Sequence, residues 1–421
     1  MGIRSGLNRR TTAIMAAVLA SVALAACGSD SSDDGGGSGT ADASAYTDAP
    51  ASGCGSQPEG STIDPEGLVA ELPEDHQAAY SGLGFPTVAS AWSDFKPKGD
   101  PPYTVGVNLV PSGNEYMKQI NETLVSTLKA SPNVDKVITR TAQSFNDVVG
   151  QISNFDSLLR QRPDIIASGA IQPDAFATVV DRAAKQGVPV VSFLNPVPSK
   201  NSVNVTINLY EGIARSTATM MRLIGGKGNT FFMSGAPGDM ATDLGLKAYK
   251  DAIKLCSGVK DLGQAYGTYT NSIAKNETLK FLATHPQAIA GVGNAASMAP
   301  GIMQAFQQSG RPMPVVQDTA GQAGSLGYWR QTADYHGTGY GSPPAPTSRT
   351  VANVVLRVLA GQGPKLNNLS TLASPITQQN LDEWAEPDWT LSTQGVANGP
   401  DKDLMDNDYL DPMFNSGAPP K

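Results

Sequence analysis

The chain has 421 residues, of which 16% are charged, and a formal net charge of −8 at pH 7. This length is enough to bury the cores of two or three domains. An acidic chain with few charged residues is a poor partner for nucleic acid or for anionic lipid headgroups, so neither is expected. Three His and three Cys without a CxxC spacing argue against a structural zinc site.

The N-terminus has the pattern of a bacterial export signal. Three arginines within the first ten residues precede a 14-residue apolar run from Ala13 to Ala26. That run is too short to cross a bilayer comfortably, and it has the length of a signal-peptide core. It ends in "LAACG", which matches the bacterial lipobox and implies cleavage before Cys27 and acylation of its thiol. Residues 1–26 are therefore predicted to be a lipoprotein signal peptide, whose removal shifts the net charge to −11.

The next 75 or so residues are predicted to form a tether and then an extension. Residues 27–60, which include "SDSSDDGGGSG", are too polar to bury a core and are interpreted as the lipidated Cys27 and a flexible tether. Residues 61–102 are predicted to pack on the main body with a short helix or two. Cys54 and Cys256 would lie in an oxidising compartment, where they either pair or remain free.

From residue 103, short apolar strands alternate with amphipathic helices. The first set comprises a strand at 103–110, a helix at 113–130, a strand at 134–141, a helix at 148–159, a strand at 163–169, a helix at 175–186 and a strand at 188–194. This alternation is typical of βαβ units on a parallel sheet.

A second set follows, and it predicts a second α/β lobe. It comprises a helix at 212–225, a strand at 230–235, a helix at 240–253, a strand within 261–269, a helix at 275–286, a strand at 288–294, a helix at 298–310 and a strand at 313–318. The tail 400–421 contains "PDKDLMDNDYLDP" and is predicted to be an acidic, solvated surface extension. Its Asp spacing lacks the Gly and Glu of a calcium-binding loop.

Four stretches follow one another in a recognisable order across residues 103–383. They are "QISNFDSLLRQRPDIIASGAIQPDAFATVVDRAAKQGVPVVSF", "GGKGNTFFMSG", "LATHPQAIAGVGNAASMAPGIMQAFQQSG" and "SPITQQNLDEW". In that order the chain resembles the type I periplasmic solute-binding proteins of bacterial ABC importers, in the ribose/galactose-binding branch. The resemblance implies two Rossmann-like lobes with parallel sheets, joined by three crossover segments near 205–209, 337–340 and 365–374. It places the N-lobe at 103–206 plus 338–368, and the C-lobe at 207–337 plus 369–399.

The resemblance also implies a ligand in the cleft between the lobes, bound by hinge closure. Family sites pair charged hydrogen bonds to sugar hydroxyls with aromatic faces for the ring. This sequence departs from that pattern. Leu194-Asn195 stands where relatives carry Asp-Arg, Thr242 where they carry an arginine, and Ala295-Ala296 where they carry Asn-Asp. One acid of the family, Asp318, aligns if one residue is deleted.

The predicted ligand-binding residues lie at strand ends or helix starts, and they are Asn108, Asn114, Tyr116, Asn195, Asn294 and Asp318. For Tyr116, covering a sugar ring and packing in the core are equally compatible with the sequence. Asn208 is either a hinge residue or the cap of the following helix. The loss of charged residues predicts a small neutral ligand, either sugar- or polyol-like or a less polar organic compound.

The chain is therefore interpreted as the lipid-anchored, extracytoplasmic substrate-binding protein of an ABC importer, held on the outer face of the cytoplasmic membrane. The expected partners are a small-molecule ligand, an ABC permease, and the membrane through acyl chains on Cys27. No catalytic residue, metal or cofactor is expected, because the sequence has no G-x-S-x-G elbow, P-loop or clustered metal motif. A ligand-binding sensor of the same fold is the alternative. A repressor on this core is excluded, because the signal and tether occupy the position of its DNA-binding helices.

Overall fold

The computed structural model describes residues 44–145, 147–400 and 402–415, and its strands and helices confirm the predicted α/β fold class. The strands in these ranges are β1 (Tyr103–Leu109), β2 (Val134–Thr141), β3 (Ile165–Gly169), β4 (Val190–Phe193), β5 (Ser202–Ile207), β6 (Lys227–Ser234), β7 (Gly258–Tyr266), β8 (Gly291–Asn294), β9 (Val315–Asp318), β10 (Thr338–Gly341), β11 (Asn368–Thr371) and β12 (Ser374–Ile376). The α-helices are α1 (Ser44–Thr47), α2 (Glu74–Gln77), α3 (Glu115–Ala130), α4 (Val148–Leu159), α5 (Pro173–Lys185), α6 (Leu209–Leu223), α7 (Met240–Ile253), α8 (Asn271–Thr284), α9 (Ala299–Ser309), α10 (Ala323–Gln331), α11 (Pro344–Leu359) and α12 (Asn407–Leu410).

The first lobe is built on a parallel sheet in the order β11-β5-β4-β3-β1-β2. Every residue of β3 and β4 is buried, as expected of parallel strands that are covered on both faces. Helices α3 and α11 share one core cluster, which includes Leu124 and Val354. Helices α4 and α5 cover the opposite face, where Phe155 and Phe176 meet edge to face at 6.2 Å.

The second lobe repeats this arrangement in the order β12-β10-β9-β8-β6-β7, with β12 antiparallel to β10. Side chains alternate between the two faces of a strand, so the neighbours Phe231 and Phe232 of β6 enter different layers. Phe231 stacks on Phe281 of α8 at 4.2 Å, and Phe232 packs 5.1 Å from Tyr249 of α7. This adjacent aromatic pair joins the sheet to the helices on both of its faces.

Within the described residues, three segments of the α/β body pass between the lobes, and they join β5 to α6, β10 to α11, and β11 to β12. Strands β5 and β10 both lead into the other lobe from their carboxyl ends, so the carboxyl edges of the two sheets face one cleft. The predicted lobe boundaries need correction. Residues 338–341 form β10 of the second-lobe sheet, and β11, which was divided between the lobes, belongs to the first-lobe sheet. The chain crosses to the other lobe only after β10 and β11 have ended. These strands, "TGYG" and "NLST", are short and weakly apolar, so the sequence did not show where they end.

The later part of the predicted tether is folded against the second lobe. Helix α1 packs on α6, and the ring of Tyr46 lies 6.3 Å from that of Trp329. Cys54 and Cys256 are joined by a disulfide, with their Cα atoms 4.4 Å apart. The prediction of flexibility was therefore wrong for residues 44–60, because these attachments outweigh the polar composition.

The C-terminal tail is also not the solvated extension that its acidic composition predicted. Met405, Leu410, Met413 and Phe414 are buried in the first-lobe core. The guanidinium of Arg357 in α11, itself 1% exposed, donates to side chains of the tail as well. The acidic residues lie mostly on the outer side of this segment. They dominate its composition, so its widely spaced apolar residues do not stand out in the sequence as a buried face.

The signal peptide, Cys27 and the tether as far as residue 43 lie outside the described residues. Among the helices that are described, none is both long enough and apolar enough to cross a bilayer.

Candidate ligand-binding cleft

The start of α3 contributes two of the predicted residues to the first-lobe edge of the cleft. Asn114 is exposed, and its side chain caps the helix by accepting a hydrogen bond from the Met117 N–H at 2.9 Å. Tyr116, in the first turn, is half-buried, and its hydroxyl lies 3.3 Å from Oγ of Ser342 in the β10–α11 crossing. Burial raises the pKa of the Tyr116 phenol. Tyr116 thus packs partly on the core while its hydroxyl reaches the segment between the lobes.

Asn108 lies below the surface of the cleft edge, within β1. It is completely buried, and its Nδ2 donates to Oγ of Ser168 on β3 at 3.2 Å. The neighbouring Gln151 of α4 is also fully buried. It donates to Gly169 O, at the end of β3, at 2.6 Å, and accepts from the Ile171 N–H in the following loop at 3.0 Å. Asn108 Oδ1 has no hydrogen-bond partner among the described residues. Such an orphan acceptor costs about 1–3 kcal/mol unless water or ligand reaches it. Sequence reasoning missed Gln151, whose signal is a polar residue on the buried face of α4.

Asn195 lies at the corner that ends β4. The preceding Leu194 has φ of 71°, a left-handed conformation that costs a non-glycine residue about 1–2 kcal/mol. The side-chain amide of Asn195 donates to Ala170 O at 3.0 Å, which ties the end of β4 to the end of β3. The side chain is half-exposed, so its Oδ1 can accept a hydrogen bond from a ligand hydroxyl.

The two predicted second-lobe residues are largely engaged in local structure. Asn294 is completely buried, and its side chain pairs with the backbone of Ala296 through both of its polar atoms. The carboxylate of Asp318, which is 3% exposed, accepts hydrogen bonds from three backbone N–H groups and from Oγ of Ser325 at 2.6 Å. Burial raises the pKa of Asp318, and these bonds oppose the increase. Asp318 therefore fixes the turn into α10, and a ligand would have to compete with four existing bonds.

A second-lobe cluster outside the predicted set of ligand-binding residues lies at the ends of β6 and β7. Tyr269 donates its hydroxyl to the carboxylate of Asp239, and the same oxygen lies 2.8 Å from Oγ1 of Thr242. Burial, and next the charge of Asp239, raises the pKa of the Tyr269 phenol. Its ring lies directly over Gly235, where a Cβ would come within 2.0 Å of it. Thr268 and Tyr269 both have left-handed backbones, with φ of 47° and 58°.

Several buried polar atoms near the hinge side of the cleft have no partner among the described residues. They include Oε2 of Glu211, which is 6% exposed. Glu211 Oε1 accepts from Gln57 at 3.2 Å and lies 3.5 Å from Arg215 Nε, and burial raises the pKa of Glu211. Trp384 Nε1 is also unpaired, and its ring packs under the end of β10. Unpaired buried groups mark the places where water or ligand would complete the hydrogen bonding.

The chemistry of this cleft is that of neutral hydrogen bonding beside aromatic rings. The side chains at the strand ends are mainly amides, hydroxyls and phenols, which can both donate and accept. The carboxylates of Asp239, Asp318 and Glu211 already accept hydrogen bonds from protein groups. In the described part of the chain, no group of three or more His, Cys, Asp or Glu side chains is arranged to hold a metal ion.

Two α/β lobes, joined by three crossings and facing one cleft with the carboxyl edges of their sheets, define a two-lobed ligand-binding protein. Residues 105–363 match the periplasmic binding protein domain, and the chain belongs to that family.

Relatives agree with this assignment. The xylitol-binding protein of Mycolicibacterium smegmatis is 25% identical over 174 residues, which is 41% of this chain and 50% of that protein. The match therefore spans half the length of that relative. An ABC transporter solute-binding protein from Thermobispora bispora aligns with a TM-score of 0.60 and 21% identity, over 69% of this chain and 90% of that one. Another from Bacillus halodurans, with bound myo-inositol, aligns with a TM-score of 0.61 and 15% identity, over 68% and 98%. At 21% and 15% identity, these two structures show only that the fold is shared.

Proposed function

We propose that the chain is the substrate-binding protein of an ABC importer and that it binds a small neutral sugar or polyol in the interlobe cleft. One observation carries the proposal. The cleft offers neutral hydrogen-bonding groups, such as the Asn195 amide and the Tyr269 hydroxyl, while the carboxylates of Asp239 and Asp318 are engaged by protein partners. The family assignment supports it.

This set of side chains suits a polyhydroxylated ligand better than an anion. Each ligand hydroxyl that leaves water needs a donor or an acceptor in the cleft, and amides and phenols supply both. The rings of Tyr116, Tyr269 and Trp384 provide aromatic surface beside these groups. One relative is named for xylitol and another holds myo-inositol, and both compounds are neutral polyols.

Binding is proposed to close the two lobes by rotation about the crossings. The closed form would then be the state that a membrane permease recognises, because a ligand shifts the population toward the conformation that it binds best. No bond is made or broken in this cycle, so it requires no catalytic group. Asn195 and Tyr116 would meet the ligand from the first lobe, and Tyr269 from the second.

A thermal-shift screen of the chain from residue 28 tests the choice of ligand. The panel contains xylitol, myo-inositol, D-arabinose and D-allose, with sugar phosphates as the charged comparison. A ligand at 100 times its dissociation constant should stabilise the fold by about 2.7 kcal/mol. Stabilisation by the phosphorylated sugars alone would contradict a neutral-ligand site.

The importer role is tested by uptake of the radiolabelled ligand in cells that lack the chain. Uptake should fall to background and return when the chain is supplied. Normal uptake with a lost transcriptional response to the ligand would favour the sensor alternative.

The lipid anchor on Cys27 and the location outside the cytoplasmic membrane are part of the same proposal, supported by "LAACG". Metabolic labelling with an alkyne fatty acid should mark the chain, and Cys27→Ala should abolish the label and release the protein from the membrane fraction. Labelling that survives Cys27→Ala would place the lipid elsewhere or refute the anchor.

A further inference from the structure

Residues 44–92, called the strap from here on, touch both lobes and the hinge between them. We infer that the strap is a fourth connection between the lobes and that it restrains the hinge. The inference concerns the motion of the lobes and does not depend on which ligand they bind.

The first part of the strap is fixed to the second lobe. Cys54 is bonded to Cys256, which is 3% exposed and belongs to the second-lobe core. Arg222 of α6 donates to the backbone oxygens of Ala45, at 2.7 Å, and of Gly55. A covalent bond and a charge-assisted pair of hydrogen bonds therefore make this part of the strap move with the second lobe.

The later part of the strap is fixed to the first lobe. Tyr80 is 1% exposed, and its hydroxyl donates to the backbone oxygen of Asn368 in β11 at 2.9 Å. The indole of Trp92 donates to the backbone oxygen of Asn201, next to β5, at 2.7 Å. Both side chains belong to the first-lobe core cluster. This part of the strap therefore moves with the first lobe.

The start of this later part is also bonded to the hinge itself. Asn208 lies in the β5–α6 crossing, and its Nδ2 donates to the backbone oxygens of Ala79, at 3.0 Å, and Ser81, at 2.7 Å. Its own N–H donates to Thr371 O, at the end of β11, at 2.9 Å, and its Oδ1 caps α6. The first crossing, the third crossing and the strap therefore meet at one fully buried side chain.

The link between the two fixed parts is short. Gln57 donates to Glu211 of the second lobe at 3.2 Å, and Gly60 already pairs with Ser81 at the hinge through both of its backbone groups. Two residues separate Gln57 from Gly60, so the link can extend to about 10 Å at most. Large rotations of the lobes must therefore break contacts of the strap.

The inferred restraint narrows the range of interlobe angles in the protein without ligand. If the proposed function holds, this pre-organises the cleft and reduces the cost of closure.

Hydrogen exchange followed by mass spectrometry, on the full mature chain without ligand, tests the restraint. Gln57→Ala removes one contact of the link and keeps the disulfide. Cys54→Ser with Cys256→Ala removes the covalent attachment. Gln57→Ala is expected to raise exchange at the crossings, around Asn208 and Thr371, by about threefold to tenfold, the effect of one lost hydrogen bond. The double variant is expected to raise it further.

Asp156→Asn is the matched control, because it loosens the Arg182 contact between α4 and α5, away from the strap. Any increase in exchange should be confined to α4 and α5, and the crossings should be unchanged. Increases in both strap variants that are confined to residues 44–60 and the surroundings of Cys256 would overturn the inference. If the double variant does not fold, Gln57→Ala alone decides. Because no ligand is added, a negative result here leaves the sugar-binding proposal standing, and a failed ligand screen leaves this inference standing.

Discussion

Asn195 and Tyr269 each follow a strand at the cleft edge. Leu194, just before Asn195, and Tyr269 itself both have left-handed backbones. Such conformations cost about 1–3 kcal/mol, and they persist only where the surroundings hold them. Here the Asn195 amide bonds to Ala170, and the Tyr269 hydroxyl bonds to Asp239. The strain and the contacts that hold it both orient polar side chains at the cleft, as a binding site requires.

Replacing Tyr269 tests its proposed contact with the ligand. Tyr269→Ala removes the ring over Gly235 and should weaken binding of the best ligand about tenfold, consistent with the loss of an aromatic contact and a hydrogen bond. Isothermal titration calorimetry measures the change. Tyr266→Ala, at the end of β7 three residues earlier and with the side chain 37% exposed, is the matched control and should bind normally. Equal affinities for the two variants would remove Tyr269 from the site.

The carboxylate of Asp181 should make the stability of the fold depend on pH in the acid range. It accepts from Asn201 at 2.9 Å and from Ser199 at 2.7 Å, in the loop that follows the Asn195 corner, and these bonds lower its pKa below the ordinary value of 3.8. Because the pKa is lower in the folded state, this stabilisation is present above pH 3.8 and is lost as the pH falls through the folded pKa. The melting temperature of Asp181→Asn should therefore fall less steeply with acid than that of the parent.

Circular dichroism melting curves between pH 2 and pH 7 measure this difference. Asp135→Asn, which changes an exposed carboxylate on β2, is the matched control and should follow the parent. Parallel curves for Asp181→Asn and the parent would show that the bonds to the loop do not favour the ionised carboxylate.

At the scale of elements, the sequence predicted best where strands are continuous apolar runs. Strands β3 and β4, and the amphipathic helices α3 and α5, lie close to their predicted positions. Helix α11 was not predicted. It begins within "SPPAPTS", and although proline breaks the interior of a helix, it is tolerated in the first turn. The same difference holds for the candidate site. Residues that follow strong strands, such as Asn195, could be placed at the cleft edge from the sequence, whereas Gln151, a polar residue on the buried face of α4, could not.

The C-terminal segment, residues 402–415, should contribute to the stability of the first lobe. Leu410 of α12 is completely buried against the first lobe, so Leu410→Ala should lower the free energy of unfolding by about 2–5 kcal/mol. Urea denaturation measures the change. Asp408→Ala, two residues away and exposed, should change it by less than about 0.5 kcal/mol. Similar small effects for both variants would return the segment to the solvated extension that its composition suggested.

In the whole molecule, a disulfide and a set of buried polar contacts lie along the hinge side of the two lobes. The disulfide joins residues 202 positions apart, and it closes a loop that includes the entire first-lobe α/β unit through β5. A cross-link over so long a loop removes many conformations from the unfolded chain. The disulfide therefore stabilises the fold as well as fixing the strap.

Cys54→Ser with Cys256→Ala should lower the free energy of unfolding by about 2–5 kcal/mol, by analogy with native disulfides that close long loops. Urea denaturation with and without reductant measures it, and the parent under reducing conditions should approach the double variant. A stability equal to that of the oxidised parent would show that the contacts of Arg222 and Tyr46 suffice to hold this part of the chain.

The disulfide also determines how a mechanical load would travel through the protein. A force applied upstream of residue 44 reaches Cys54 and passes through Cys256 into the second lobe. From the same junction, residues 55–92 lead on to the first lobe, so these residues and the three crossings carry only the part of the load that is balanced on the first lobe. A pull from the N-terminal side is thus taken up first by the second lobe, and only the drag on the first lobe acts across the hinge.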